Sequence, residues 1–216
     1  AGKYLTKGAL VVLESTITPG TTAIWAKKIL EEESGLVAGK DFGLAHAPER
    51  VMVGRLLQNI QEHDRIVGGI DDISTRRAME LYGPVLTCGK LIPMTATAAE
   101  VTKTAENTFR DLQIAAANQL ALYCEAMGIN FYDLRIGIDS LKGEGITRAI
   151  LWPGAGVGGH CLTKDTYHLE RGVTISEGKA VDFPSDVASL FITARQINDF
   201  MPNHMFHLLK KGFERI

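Results

Sequence analysis

Apolar and polar positions along the 216-residue chain fall into two regimes. Up to about residue 93, short apolar runs alternate with amphipathic stretches. Ala9-Leu10-Val11-Val12-Leu13 predicts a strand over Leu10 to Glu14 of the kind buried on both faces. Thr18-Pro19-Gly20-Thr21 reads as a turn and helix start, and Thr22 to Glu33 as a helix that stops near Gly35. Phe42 to Ala47 and Arg65-Ile66-Val67-Gly68-Gly69 read as further strands, and Asp71 to Tyr82 as a charged amphipathic helix closed by Gly83-Pro84. Val85 to Leu86 and Lys90 to Pro93 carry weaker strand signals. Elements alternating at this length predict a parallel α/β sheet.

After Pro93 the pattern is helical almost throughout. Thr97-Ala98-Ala99-Glu100 has the form of a capping box. The helix it opens runs to Ala126-Met127, with Gly128 as its stop: about 30 residues, or roughly 45 Å. A helix of that length packs along several neighbours, or along its own copy in a dimer. Phe131 to Ile138, Thr163 to Arg171 and Ser185 to Asn198 read as further helices, and Pro202 suits the first turn of a last one over Asn203 to Lys210. The fold class expected is thus α/β, an incomplete Rossmann-like parallel sheet over residues 1–93 followed by an all-helical domain over residues 94–216. The strand at Leu10 reads like the middle of a sheet, and little follows the last helix, so a piece of a larger protein is expected.

Composition adds limits. With 45% hydrophobic and 22% charged residues and a net charge of −2, the chain has no basic block for nucleic acid and no apolar run of membrane-spanning length. Its three cysteines, Cys88, Cys124 and Cys161, are far apart and odd in number, which argues for free thiols in a reducing cytoplasm.

The chemistry concentrates in Gly154-Ala155-Gly156-Val157-Gly158-Gly159-His160-Cys161-Leu162-Thr163-Lys164-Asp165. A cysteine at the end of a glycine-rich loop, where a helix begins, meets unpaired N–H groups and the positive helix end, a setting that favours a thiolate nucleophile. Gly154, Gly156 and Gly159 also fit the dinucleotide pattern G-x-G-x-x-G, but Pro153 stands where that motif needs a strand, and no strand–helix–strand unit follows. Lys103 and Asn107, four apart on the long helix, share a face, either as an exposed polar stripe or as oxyanion donors in a cleft. Pro48-Glu49-Arg50 follows a strand end, where α/β sheets place their sites. Glu14-Ser15-Thr16-Ile17-Thr18-Pro19-Gly20-Thr21 joins a strand to a helix, and its hydroxyls and helix N-terminus suit a phosphate or ribose, or simple capping. His204 and His207 lack a third ligand, so no metal is expected. His160 stands as a base for the cysteine or as a shaper of the loop.

In this order, Glu14-Ser15-Thr16…Pro19-Gly20-Thr21, Pro48-Glu49-Arg50-Val51, Lys103-x-x-x-Asn107 and Gly156-Val157-Gly158-Gly159-His160-Cys161-x-x-Lys164-Asp165, the chain resembles the UDP-glucose/GDP-mannose dehydrogenase family over essentially its whole length. Gly158-Gly159-His160-Cys161 and Pro48 to Val51 are most similar to members acting on UDP-N-acetyl-D-mannosamine; UDP-N-acetylglucosamine, UDP-glucose and GDP-mannose are the alternatives. The resemblance corresponds to the later part of the NAD-binding domain plus the helical central domain. It implies a two-fold oxidation of a sugar C6 alcohol to a carboxylate with two NAD⁺.

The roles implied are residue by residue. Cys161 captures the aldehyde and carries the thioester, and Lys164 assists its thiolate. Lys103 and Asn107 stabilise oxyanions. Asp165 and Glu49 are the acid–base or water-positioning carboxylates, and Ser15 and Thr16 lie on the nicotinamide side. Glu49, Arg50, Val51, Lys103, Asn107, Arg148 and Gly158 contact the UDP-sugar, with Arg148 reaching a partner subunit in a homodimer built on the long helix. Val53 falls where many UDP-glucose members carry a second Glu, so no role for that acid carries over. Two readings from other classes stand beside this one: a non-catalytic dimerisation module, and a cysteine hydrolase using Cys161 and His160.

Overall fold

The computed structural model describes residues 1–51, 54–141, 150–175 and 188–214. Two compact units form, Ala1–Ala105 with His168–Val181, and Glu106–Tyr167 with Asp182–Ile216. The division falls inside the long helix, whereas the sequence boundary at residues 93 and 94 precedes it.

The first unit is built on a four-stranded sheet in the order β1 (Leu10–Leu13), β2 (Gly43–His46), β3 (Arg65–Gly69), β4 (Leu91–Thr95). Pairs β1–β2 and β3–β4 are parallel, as the alternating pattern predicts. The pair β2–β3 is antiparallel, which corrects the expectation of a wholly parallel sheet. Its register pairs His46 with Gly68, so β3 begins beside the carboxyl end of β2, and the 47–64 connection returns without crossing a face. Helices α1 (Lys27–Ser34), α2 (Leu56–Glu62) and α3 (Asp72–Tyr82) belong to these connections. A π-helical turn, Thr21–Ala26, leads into α1, and Gly35 closes it at φ 69°. The strand expected at Val85–Leu86 is absent; Gly83–Val85 forms a 3-10 turn, because Pro84 has no N–H for a ladder.

Alternation along β2 builds two cores. Leu44 packs with Leu30, Ala38 and Phe42, while Ala45 packs with Ala47, Val67 and Ala78. Residues on the second face are small because α3 lies close. Asp71 caps α3 by accepting from the Ser74 N–H, and the Gly69 N–H donates to Thr75 Oγ1 at 2.9 Å. A Cβ on Gly68 would overlap the Thr95 carbonyl of β4, so the β3–β4 contact requires glycine there.

The remaining elements are helices: α4 (Ala96–Met127), α5 (Phe131–Asp139), α6 (Leu162–Ile175) and α7 (Leu190–Phe213). Gly128 stops α4 at φ 67°. The capping box at Thr97 is corrected. Thr95 Oγ1 accepts from the Ala98 N–H at 3.2 Å, and Glu100 turns inward instead. The separate last helix is corrected too, since α7 runs unbroken through Pro202, while the expected start at 185 lies outside the described residues.

The inward stripe of α4 explains its weak periodicity. Glu100, Thr104, Thr108, Asp111, Ala115 and Asn118 are all buried, at spacings of three and four. Most are polar, so an apolar pattern cannot report this face.

His46, on β2, is fully buried, and burial pushes its imidazole down to about 4 while the Leu13 backbone offsets only part of the shift. A depressed folded value means that protonation favours the unfolded chain. The stabilisation is complete above the ordinary value of 6.5 and is lost as pH falls toward 4. His46→Phe is expected to remove this component, flattening the change between pH 7 and pH 4 by about 3 kcal/mol. Urea unfolding of both proteins across that window checks it; parallel curves would contradict it.

Candidate active site

The carboxyl ends of β1 and β2 hold two of the sequence motifs in the first unit. Arg65 joins them. Its guanidinium donates to Glu14 Oε1 at 2.5 Å and to the Ala47 carbonyl at 3.3 Å. Tyr82 donates to the same Glu14 oxygen at 2.6 Å, and Arg65 lies 3.9 Å from the centre of its ring. Burial, followed by the bond to Glu14, raises the Tyr82 hydroxyl to about 12, which keeps it a donor. The Glu49 N–H donates to the Glu14 carbonyl at 3.0 Å, which brings Pro48 to Val51 beside the segment carrying Ser15 and Thr16. The Glu49 carboxylate is turned onto its own loop, accepting from the Val51 N–H. Arg50 donates to the Asp64 carbonyl at 3.4 Å. Lys103, half-buried on α4, belongs to this unit as well.

At the end of the Glu14–Thr21 segment the amides serve capping, one of the two readings that the sequence leaves open, and the Ser15 and Thr16 hydroxyls lie before the Thr18–Thr21 turn. Its N–H groups are already taken by the chain itself: Gly20 and Thr22 donate to Glu100 Oε2 and Oε1 at 2.6 and 2.7 Å.

In the second unit the cysteine loop is anchored along its length. Arg135 of α5 donates to the Ile150 carbonyl at 2.9 Å and stacks 4.4 Å from the Trp152 ring centre. The Gly154 N–H donates to Asn118 Oδ1 of α4 at 2.9 Å. Gly156, at φ 94°, lies so close to α7 that a Cβ would collide with the Asn198 carbonyl and press tightly on Pro202. Pro202 has no N–H to offer that carbonyl, so the proline inside α7 shapes the surface on which the loop sits.

The loop ends at Cys161, whose carbonyl accepts from the Lys164 and Asp165 N–H groups at 3.0 and 2.9 Å. Cys161 therefore occupies the N-cap position of α6, as the sequence predicts, and its thiol is free and exposed. Gly159 turns at φ 93°, and Thr163 Oγ1 donates to its carbonyl at 2.7 Å. In the first turn of α6, Asp165 is buried and accepts from the Asn107 amide at 2.6 Å. Asn107, Gly158, Cys161 and Asp165 thus belong to one unit; Ser15, Thr16, Glu49, Arg50, Val51 and Lys103 belong to the other. His160 is exposed, while His204 bonds Glu125 at 2.7 Å. Arg148 and Val53 lie outside the described residues.

A buried polar network supports this loop, and sequence reasoning missed it. Arg195 of α7 donates to Asp111 Oδ1 of α4 at 2.6 Å, both side chains being 1% exposed. Asn198 donates to Asp111 Oδ1 and to its carbonyl at 2.9 and 3.0 Å, and Asn118 donates to Asn198 Oδ1 at 2.9 Å. Burial pushes the Asp111 carboxyl above its ordinary value, and the Arg195 guanidinium pulls it back. Asn118 and Asn198 are poor interior helix residues. Asparagines at interior helix positions are the signal that the sequence carries for this network.

The chain belongs to the UDP-glucose/GDP-mannose dehydrogenase family: residues 1–86 match the family's NAD binding domain and residues 97–199 its central domain. NAD is the cofactor bound by the matched domain. The solved structure of NDP-N-acetyl-D-galactosaminuronic acid dehydrogenase from Methanosarcina mazei is 76% identical with a TM-score of 0.93, covering 99% of this chain and 45% of that one. The UDP-N-acetyl-D-mannosamine dehydrogenase of Pyrococcus horikoshii is 41% identical over 99% of this chain and 47% of its own, and that of Campylobacter jejuni 38% identical over 99% and 50%. This chain spans about half the length of the curated relatives it matches.

Removing the Asp111 carboxylate takes away the buried partner of the Arg195 guanidinium and leaves it only the exposed Asp199 at 3.1 Å. Asp111→Leu is expected to destabilise the protein by about 3–5 kcal/mol, and the double change Asp111→Leu with Arg195→Met by much less than the two single changes summed. Urea unfolding of the four proteins checks it; additive losses would contradict it. Gly156→Ala forces a side chain into a left-handed backbone and onto the Asn198 carbonyl, so a lowered thermal midpoint is expected. An unshifted melting curve would contradict it.

Proposed function

We propose that this chain supplies the cysteine, the oxyanion donors and part of the cofactor site of an NAD-dependent nucleotide-sugar 6-dehydrogenase, which oxidises a C6 alcohol to a carboxylate in two steps. The observation that carries the reading is the Asn107–Asp165 bond in the turn that Cys161 caps. The donor set at the β1 and β2 ends fits the cofactor: hydroxyls of Ser15 and Thr16 beside a loop fastened by Glu14 and Arg65. NAD⁺, when bound, supplies the hydride acceptor for each oxidation.

The chain's own residues do the rest. Loss of hydride from C6 and of the hydroxyl proton gives an aldehyde. The Cys161 sulfur adds to its carbonyl carbon, and the oxygen takes a proton, forming a thiohemiacetal. Loss of a second hydride and that proton leaves a thioester, and water cleaves its C–S bond, giving the acid and returning the thiol. The balance is one alcohol, one water and two NAD⁺ to one carboxylate, two NADH and three protons. Covalent capture keeps the aldehyde from escaping between oxidations.

Asn107 spends one amide N–H on Asp165, which fixes its plane and aims the other at a developing oxyanion; Lys103, one turn earlier on α4, is the second donor. Asp165 is placed to position water or exchange a proton, and Glu49 is the second such carboxylate. Arg50, Val51, Gly158 and Arg148 complete the sugar contacts. Reduced cysteine and a nucleotide cofactor point to the cytoplasm. Among the described residues no helix is long and apolar enough to cross a membrane.

The substrate is a nucleotide-linked N-acetylhexosamine. UDP-N-acetyl-D-mannosamine follows from the Gly158–Cys161 motif and the curated relatives, whereas the 76% identical structure favours the N-acetylgalactosamine series. A homodimer along residues 97–127 fits the exposed Phe109 and Tyr123 of α4.

The test uses the complete reading frame containing this chain, with NAD⁺ and each of UDP-N-acetylmannosamine, UDP-N-acetylgalactosamine, UDP-N-acetylglucosamine, UDP-glucose and GDP-mannose. Two NADH per sugar are expected with the true substrate, and at most one with Cys161→Ser. One NADH per sugar from the unaltered enzyme would overturn the thioester mechanism, and none with any sugar would overturn the reading in favour of a dimerisation module. The 216-residue chain alone is expected to show little or no turnover.

A further inference from the structure

We propose that Glu100 is a positioning residue for the cofactor loop: from α4 it supplies the anion that fixes the turn between Ser15–Thr16 and the following helix. The inference rests on the functional reading above, in which Ser15 and Thr16 face the nicotinamide side. Glu100 is fully buried, and each carboxylate oxygen accepts one backbone N–H, from Gly20 at 2.6 Å and Thr22 at 2.7 Å. These are groups that a helix N-terminus otherwise offers to water or to a bound anion. Gly20 turns at φ 94° to present its N–H, and Thr22 is itself fully buried.

Two contacts from α6 close around the same turn. Thr18 Oγ1 lies 2.9 Å from His168 Nδ1, and Gly172 packs against Pro19 where any Cβ would collide. The turn is therefore held by a carboxylate, an imidazole and a close backbone approach, and the carboxylate alone binds two of its backbone N–H groups. Burial pushes the Glu100 carboxyl above its ordinary value, and the bonds from Thr22 and Gly20 pull it back.

Position on the helix gives this clamp its meaning. Glu100 precedes Lys103 by three residues, so the two are neighbours on one face of α4. Within the first unit the same helix thus bears the grip on the cofactor loop and the Lys103 donor. The tertiary grip adds to a local turn in which the Thr18 carbonyl accepts from the Thr21 N–H and Oγ1 at 3.1 and 2.6 Å.

Glu100→Gln keeps the volume but replaces one acceptor oxygen with an NH₂ that faces a backbone N–H. In the full-length enzyme the KM for NAD⁺ is expected to rise roughly tenfold or more, because the binding-competent loop is less populated, while the KM for the sugar nucleotide changes less than twofold. Hydrogen exchange in the 17–26 segment should accelerate, with distant segments unchanged. Unchanged KM values, or both rising by one factor with exchange unaltered, would overturn the proposal. If the variant does not fold, exchange in the unaltered enzyme decides: slow Gly20 and Thr22 amides support the clamp, and rates typical of open loops overturn it. An unaltered enzyme that binds no NAD⁺ would sink the functional reading and the cofactor role together, while those two amides would still judge the clamp.

Discussion

A long helix can bury polar side chains only where each meets a partner, and α4 is organised by that requirement. Its inward stripe carries Glu100, Thr104, Thr108, Asp111 and Asn118. An unpaired carboxylate or amide there would cost several kcal/mol. The chain answers with backbone N–H groups at Gly20 and Thr22 and with Arg195 and Asn198 of α7. Hydrogen bonds have direction and a greasy stripe does not, so such a surface accepts few alternative registers. Replacing the ion pair with apolar residues can leave stability intact. What the polar version supplies is a defined position for each partner.

That definition reaches the cysteine loop through shared atoms. Asn118 donates to Asn198 with its amide nitrogen and accepts from the Gly154 N–H with its oxygen. Asn198 gives its amide to Asp111 and presents its carbonyl, left without a helical donor by Pro202, to Gly156. Loop, α4 and α7 thus meet in one network, and a change at any member is felt at the loop. Glycine at 156 is required because backbone touches backbone there.

Much of this was readable from sequence. Strands at β1, β2 and β3 and helices α3 and α5 fall within a few residues of their predicted bounds, because they obey simple rules: apolar runs, an Asp cap, a Gly stop. Cys161 at the α6 N-cap was readable as well, since a glycine-rich loop before a helix has few other forms. Apart from the Val85–Leu86 strand, the failures share one physical cause, contacts between residues distant in sequence. Glu100 looked like half of a local capping box, yet its partners are about 80 residues away. Pro202 looked like a helix start, because nothing local shows that Gly156 will cover the carbonyl it leaves without a donor. The antiparallel β2–β3 pair was hidden by a connection long enough for either direction.

A carboxylate three residues into a helix, after a threonine, has an inexpensive local use: to bind its own N-terminal N–H groups. In this chain Thr95 caps α4 without it. Glu100 is thereby released to cap a different helix, at the cost of burying a charge. Natural folds tolerate a buried carboxylate where its partners are fixed, and here they are the first amides of the segment following Ser15 and Thr16. The arrangement makes the geometry of that segment a property of α4, the helix that also bears Lys103 and Asn107. In the proposed role of Ser15 and Thr16, a substitution deep in a helix core acts on cofactor affinity without touching the cofactor.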